Sequence, residues 1–189
     1  MLSTDIVDIL FTIFEGIKFM LVEGKHYKTI WPNKALTGVT IIDQTYLPFE
    51  FKLSELTSLG AVVEAIKFMR VRGAPLIGVT GVYGLAIALT KNSTDQSLIE
   101  AKTQLIKSRP TAVNLSWAIN LVYDQLKKEP RNNRASMAWI LANKLANEDI
   151  ETNQSIGEFG FKLIHKIQKS RINILTHCNA GWLATIDHG

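Results

Sequence analysis

The stretch that decides the fold is residues 70–89, RVRGAPLIGVTGVYGLAIAL. From Pro75 to Leu89 nearly every position is apolar or small, and a helix that is apolar on all sides is a buried one. Gly78, Gly81 and Gly84 recur within it, although each glycine costs roughly 1 kcal/mol in an ordinary helix. These glycines therefore indicate a thin central helix that another backbone or a ligand approaches closely.

Further helices are predicted on either side of this segment. Apolar residues at helical spacing follow Ser58 and predict a one-sided helix that stops near Gly73: Leu59, Val62, Val63, Ile66 and Met69. A capping box of Ser93 and Gln96 predicts a third helix that ends before Pro110. The remaining predictions are a fourth helix over 113–128, a fifth over 134–147 and a sixth over 149–169 whose buried face is Ile156, Phe159, Leu163, Ile164 and Ile167.

Strand-like texture flanks the helices at both ends. Residues 25–53 hold short β-rich runs separated by turn residues, which predicts a small antiparallel sheet. Residues 172–176, INILT, read as a strand directly after a helix, but only 13 residues follow Thr176, too few for a crossover and a parallel neighbour. The expected fold class is therefore α/β: an α+β amino-terminal domain with a small antiparallel sheet and a helical bundle, then the truncated start of a Rossmann-like domain.

The expected domains follow from these changes of texture. They are a helical extension over 1–19, a β subdomain over 20–55, a helical domain over 56–170 and the strand and loop of a truncated domain over 171–189. Residues 3–21 carry apolar positions at helical spacing, while Asp5, Asp8 and Glu15 argue against a signal peptide or a membrane span. We interpret this segment as an amphipathic helix for packing or self-association.

Composition limits the classes of function. The chain has 189 residues, 47% of them hydrophobic, and a net charge of +4 spread among acidic residues, which disfavours disorder and nucleic-acid binding. The densest basic group reads as a solvated connection between helices: Lys127, Lys128, Arg131 and Arg134. Cys178 is the single cysteine, so the chain holds no internal disulfide, and a cytoplasmic location is expected.

Two arginine-proline segments are candidate anion sites. Arg72, Gly73 and Ala74 precede Pro75 at a helix start, and Arg109 likewise precedes Pro110 and the next helix. A helix amino terminus beside a guanidinium binds anions. The plainer alternative for each is a helix-helix turn with an exposed arginine, and one phosphate shared between the two requires them to meet in space.

A third candidate lies at the carboxyl end of the predicted 172–176 strand. Cys178 sits between that strand and a predicted helix start, where facing amides favour a thiolate. A lone cysteine is more often inert packing. The sequence shows no ligands at metal spacing and no GxGxxG fingerprint, so no metal and no cofactor are expected.

Taken together, these segments are more specific than any one of them. GKHYKTIW, IIDQTYLP, MRVRGAPLIGVTGVYGLA, RPTAVNLSWA, IGEFG and ILTHCNAGWLAT, in order over residues 20–189, resemble the family of methylthioribose-1-phosphate isomerases and initiation factor 2B regulatory subunits. The resemblance is to the amino-terminal portion only. It implies an enzyme of methionine salvage that converts 5-methylthioribose 1-phosphate to 5-methylthioribulose 1-phosphate.

The resemblance also assigns roles. It implies that Cys178 is catalytic, that Arg72, Gly73, Ala74 and Arg109 contact a phosphosugar substrate, and that the protein is a homodimer without nucleic-acid or membrane partners. The family's catalytic aspartate has no match here, and Gln154 stands where many relatives have arginine. We therefore expect no activity from this chain alone. The alternatives are a non-catalytic subunit like those of initiation factor 2B, or a ribose-1,5-bisphosphate isomerase.

Overall fold

The computed structural model describes residues 21–167 and 171–189. Two small antiparallel sheets come first. β1 (Leu21–Val22) pairs with β2 (Lys25–His26), and β4 (Val39–Ile42) lies between β3 (Ile30–Pro32) and β5 (Leu53–Leu56). The antiparallel sheet expected over 25–53 is confirmed. The predicted extension over 1–19 lies outside the described residues.

Five α-helices follow the sheets within the described residues. They are α1 (Leu59–Lys67), α2 (Ala74–Lys91), α3 (Asp95–Ser108), α4 (Val113–Leu126) and α5 (Arg131–Ile164), and a 3₁₀ helix spans Trp182–Ala184. The chain is therefore mostly helical and of the α+β type. The domain boundaries given above stay predictions.

Helix α2 is the centre of the core, as its sequence predicts. It contacts α1, α3, α4 and α5, and every residue from Leu76 to Leu89 is buried. A Cβ built on Gly78 would lie 3.2 Å from the Asn114 carbonyl oxygen, and one on Gly84 would lie 2.9 Å from side chains of Leu105 and Val62. The glycines thus admit neighbouring helices rather than a ligand. Among the described residues, α2 alone is long and apolar enough to cross a membrane, and 78% of it is buried inside the protein.

Two local predictions are wrong. Helix α3 is capped by Thr94, whose side-chain oxygen accepts a hydrogen bond from the Ser97 N–H at 3.3 Å, while Gln96 bonds Glu100 instead of completing a box with Ser93. Arg134 belongs to no solvated connection: it is 3% exposed and donates to the carbonyls of Leu126, Glu129 and Ser93. Helix α4 ends at Leu126, and the Arg134 Nε satisfies the free carbonyl of that last residue.

The two helices predicted over 134–147 and 149–169 are one continuous α5 of 34 residues. No proline or glycine stands at the expected break, so nothing interrupts its hydrogen-bond ladder. The expected buried face at its carboxyl end is also wrong, since Ile156, Phe159 and Leu163 are 63%, 65% and 67% exposed. The spacing identified an apolar face correctly, but no described residue covers it.

The strand predicted over 172–176 is absent from the structure. Residues 171–177 have no regular secondary structure, and Ile174 and Leu175 are 66% and 98% exposed. A strand needs a hydrogen-bonded neighbour, and this segment has none among the described residues. The start of a Rossmann-like domain is therefore not seen.

Candidate functional site

The Arg72-Gly73-Ala74 loop forms the amino terminus of α2. Gly73 is the N-cap residue, with φ 92° and ψ 140°, a conformation that L side chains rarely adopt. Pro75 occupies the first turn, where its missing N–H costs nothing. Arg72 and Ala74 are exposed. An exposed guanidinium therefore lies beside the start of a long helix, which is the pairing of groups that an anion site uses.

A buried carboxylate binds the arginine that precedes this loop. Asp43, which is 2% exposed, accepts hydrogen bonds from the Arg70 Nε at 2.7 Å, the Thr45 hydroxyl at 2.7 Å and the Ser54 hydroxyl at 3.3 Å. Burial alone would raise the pKa of Asp43, but the bonds from Thr45 and Arg70 outweigh it and hold that pKa below its ordinary value. The loop is therefore fixed to the sheet by a charged, desolvated pair.

Gln44, the next residue, joins three parts of the chain. Its N–H donates to the Arg70 carbonyl at 2.9 Å, and its side-chain amide donates to the Leu183 carbonyl at 2.7 Å. The short segment 182–187 thereby lies against the same loop that carries Arg72 and Gly73. Sequence reasoning quoted Asp43 and Gln44 only as part of the IIDQ motif and gave neither a role.

The segment 182–187 is closely docked. A Cβ built on Gly73 would lie 2.4 Å from the Cα of Ala184, so the two backbones touch. Further along, the Ile186 carbonyl accepts from the Thr29 N–H at 2.9 Å, and the Ile186 N–H donates to Asp149 at 2.9 Å. Asp187 is bonded to the His26 ring at 2.8 Å. The segment thus connects the sheet, α2 and α5.

Cys178 and Arg109 stand outside this contact. Cys178 is exposed, with φ 65°, three residues before the glycine that opens the 3₁₀ helix. Arg109 is half-buried at the end of α3. Among residues 21–167 and 171–189, no hydrogen bond or ion pair joins Arg72, Arg109 and Cys178. The structure therefore brings the motif of Cys178 to the Arg72 loop only through Leu183 and Ala184. The predicted substrate contacts and the predicted catalytic role of Cys178 stay predictions.

The amino termini of α2 and α4 meet at a cavity of about 300 Å³. Pro75, Asn114, Trp117, Asp149 and Thr152 are among its lining residues, and neither Arg72 nor Arg109 is. Burial raises the pKa of Asp149, and hydrogen bonds from Ile186 and Asn153 oppose that rise. The helix termini thus lie side by side, as a shared phosphate requires, while the sharing itself stays a prediction. Sequence reasoning missed Asp149 because nothing in its helical pattern marks it.

Within the part of the chain that the structure describes, no three His, Cys, Asp or Glu side chains gather where they could hold a metal ion. The groups gathered around the Arg72 loop are amides, guanidinium groups and carboxylates, while the thiol of Cys178 is exposed outside that contact. Such groups bind a phosphate ester and move protons.

Comparison with known proteins places these motifs in context. A family model described as the initiation factor 2 subunit family matches residues 70–186. The methylthioribose-1-phosphate isomerase of Rhodospirillum rubrum is 45% identical over 179 residues, which cover 90% of this chain and 46% of that protein. An uncharacterized protein in the petC 3′ region of the same organism is 45% identical over 177 residues, 89% of this chain and 96% of its own length.

Two solved structures share the fold. The 5-methylthioribose 1-phosphate isomerase of Pyrococcus horikoshii superposes with a TM-score of 0.76 at 36% identity, over 87% of this chain and 47% of that one. The delta subunit of translation initiation factor eIF-2B from A. fulgidus gives a TM-score of 0.72 at 34% identity, over 85% and 47%. This chain therefore spans about half the length of the isomerases that it matches.

Proposed function

Because the chain belongs to the initiation factor 2 subunit family, we propose that it supplies half of a methylthioribose-1-phosphate isomerase site. The observation that carries the proposal is the 45% identity to the R. rubrum isomerase across 90% of this chain. The docking of segment 182–187 onto the Arg72 loop supports it, since it brings the Arg72-Gly73-Ala74 motif and the motif of Cys178 together.

In this proposal Arg72 and Arg109, with the backbone of Gly73 and Ala74, hold the phosphate on C1 of 5-methylthioribose 1-phosphate. That phosphate locks the sugar ring, so the ring must open before hydrogen moves from C2 to C1. Cys178 then serves as one of the groups that move protons during ring opening and transfer. The product, 5-methylthioribulose 1-phosphate, has the same atoms with the carbonyl at C2.

In this proposal the other half of the site lies outside residues 1–189. The isomerases that the chain matches are about twice as long, and residues 171–189 are the expected start of their Rossmann-like domain. With sheet neighbours present, residues 172–176 become a strand and Cys178 lies at its carboxyl end, where α/β sheets place ligands. The assembled protein is a cytoplasmic homodimer in this proposal, which size-exclusion chromatography with light scattering tests.

The experiment mixes this chain with the separately produced carboxyl-terminal half of the R. rubrum isomerase and follows 5-methylthioribulose 1-phosphate. We expect no turnover from the chain alone and turnover from the complex. Cys178→Ser should lower turnover by at least about 100-fold, the usual contribution of acid-base catalysis. Arg72→Ala should raise KM, whereas the matched control Arg131→Ala, on an exposed surface, should change neither constant.

Turnover by the chain alone would contradict the two-part site. A complex that assembles, as seen by light scattering, yet shows no turnover would contradict the isomerase assignment.

The similarity to the eIF-2B delta subunit favours a second candidate, a non-catalytic regulatory subunit. The two candidates differ in Cys178, which only the catalytic one needs. An assembled complex that is inactive both with and without Cys178→Ser would support the regulatory subunit. Ribose 1,5-bisphosphate offered to the same complex separates the two isomerase reactions.

A further inference from the structure

Gln44 contacts both of the segments on which the proposed site depends. It is 7% exposed, and its side-chain amide donates to the Leu183 carbonyl at 2.7 Å. Its backbone N–H donates at 2.9 Å to the carbonyl of Arg70, which lies two residues before Arg72. One buried residue is therefore bonded close to Arg72 through its backbone and to the docked segment 182–187 through its side chain.

The bond to Leu183 is the docking contact nearest to Cys178 in the sequence. Among the described residues, the other hydrogen bonds that dock the segment reach Thr185, Ile186 and Asp187. Cys178 lies five residues before Leu183. The Ala184 N–H donates to the Gly181 carbonyl at 2.9 Å, so the turn that carries Leu183 closes three residues after Cys178. The Gln44 amide therefore anchors the chain from which the thiol projects.

The Arg72 loop does not depend on that amide. The Arg70 Nε is bonded to Asp43 at 2.7 Å. The N–H that binds the Arg70 carbonyl belongs to the backbone of Gln44, so a change of side chain leaves it in place. Substituting the side chain of Gln44 therefore loosens the Leu183 contact and leaves the contacts of Arg70 intact.

We propose that Gln44 is a positioning residue of the isomerase site: by holding the Leu183 carbonyl, it sets where Cys178 lies relative to the Arg72 loop. Gln44 acts through the chain between Leu183 and Cys178 and does not itself touch the substrate. Its role in the reaction rests on the proposed isomerase function, whereas the contact with Leu183 is present in this chain.

Two variants of similar size remove the donor in different ways. Gln44→Met has no donor, and Gln44→Glu places a carboxylate, which only accepts, against the Leu183 carbonyl. Burial disfavours the charged form, so the introduced glutamic acid takes up a proton as the pH falls and can then donate its O–H to Leu183. Gln104, which is exposed on α3, supplies the matched controls Gln104→Met and Gln104→Glu.

Kinetics of the complex with the carboxyl-terminal half of the R. rubrum isomerase test the role in the reaction. Gln44→Met should lower kcat by at least about tenfold, because misplacing a reacting group by about 1 Å can cost about 100-fold. KM should change by less than about twofold, because the groups that hold the phosphate keep their places. Arg72→Ala should show the reverse split, and the two Gln104 variants should change neither constant.

The pH profile of Gln44→Glu supplies a readout that a merely structural role does not move. Its kcat relative to wild type should rise at least about threefold between about pH 8.5 and about pH 6, because the protonated side chain regains a donor. Gln44→Met should show no such recovery. Comparison with wild type at each pH cancels the titration of the other charged groups on the elements packed here, which are the Asp43–Arg70 pair, the His26–Asp187 pair, Asp149, Arg72 and His188.

Hydrogen exchange on this chain alone tests the contact without any turnover. The Ala184 N–H lies in the turn that Gln44 anchors. It should exchange at least about fivefold faster in Gln44→Met than in wild type, the effect of losing one buried hydrogen bond. Amides in the middle of α2 should keep their protection, and the Gln104 variants should exchange like wild type.

Unchanged exchange at Ala184, or a wild-type kcat in Gln44→Met, would overturn the positioning role. So would a loss of kcat in Gln104→Met as large as that in Gln44→Met. A wild-type complex that assembles without turnover would instead contradict the proposed function and remove the reaction that Gln44 serves; the inactivity of the unsubstituted chain distinguishes this outcome. Circular dichroism checks the folding of each variant, and Gln44→Met decides the result if the buried carboxylate of Gln44→Glu prevents folding.

Discussion

Gly73→Ala should release the segment 182–187 from the helical core. Gly73 has φ 92° and ψ 140°, and a Cβ there would lie 2.4 Å from the Cα and 2.5 Å from the carbonyl oxygen of Ala184. Both neighbours are backbone atoms, which cannot yield by rotating a side chain. The substitution therefore combines conformational strain of about 1–3 kcal/mol with overpacking of about 1–3 kcal/mol.

A matched control separates the two contributions. Gly181 has φ 91°, but a Cβ there meets nothing within 4 Å. Gly181→Ala therefore carries comparable backbone strain without the clash. In urea denaturation Gly73→Ala should lower the free energy of unfolding by about 1–3 kcal/mol more than Gly181→Ala does.

Hydrogen exchange locates the effect. The Ile186 N–H, which is bonded to Asp149, should exchange faster in Gly73→Ala, while amides in the middle of α2 keep their protection. Equal destabilisation by the two substitutions, or unchanged exchange at Ile186, would refute the conclusion that Gly73 is required for the docking of 182–187.

Three further substitutions test the buried polar groups. Asp43→Asn should lower the free energy of unfolding in urea by about 3 kcal/mol, because it breaks a buried pair with Arg70. Folding depresses the pKa of Asp43, so the stability that its carboxylate contributes is present above about pH 4 and is lost as the pH falls through its folded-state pKa. The variant should lack that acid-dependent loss of stability. Asp149→Asn should raise Tm at neutral pH and leave it unchanged below about pH 4. Burial raises the pKa of Asp149, so its charged form opposes folding as the pH rises through its folded-state pKa. A lower Tm at neutral pH would contradict this. Arg134→Lys should lower the free energy of unfolding in urea by about 2–4 kcal/mol, since a lysine cannot reach three carbonyls from a buried site. An equal loss of stability in the exposed control Arg131→Lys would show that the carbonyl contacts are not the cause.

The core was readable from the sequence to a large extent. The all-round apolar character of 75–89 predicted a buried central helix, and its glycines predicted close approach, because both follow from local composition. The antiparallel sheet over 25–53 was readable for the same reason, since short β-rich runs between turn residues pair locally. The family was readable from the order of several motifs, each weak alone.

The candidate site was readable only in part. The sequence pointed to Arg72, Gly73, Ala74, Arg109 and Cys178 one segment at a time, and no local pattern shows which segments touch. Asp43 binds Arg70, next to the Arg72 loop, and Gln44 binds Leu183, which lies 139 residues away in the sequence. Such long-range partners are set by packing, which periodicity does not encode.

By itself the sequence determined where the apolar faces lie, because side-chain spacing follows directly from the periods of helix and strand. Tertiary structure alone decided which faces are covered. The same helical spacing is buried in α1 and exposed at the end of α5, since only the first has neighbours among the described residues. Likewise the β-branched run at 172–176 forms no strand here, because a strand exists only when another backbone accepts and donates its hydrogen bonds.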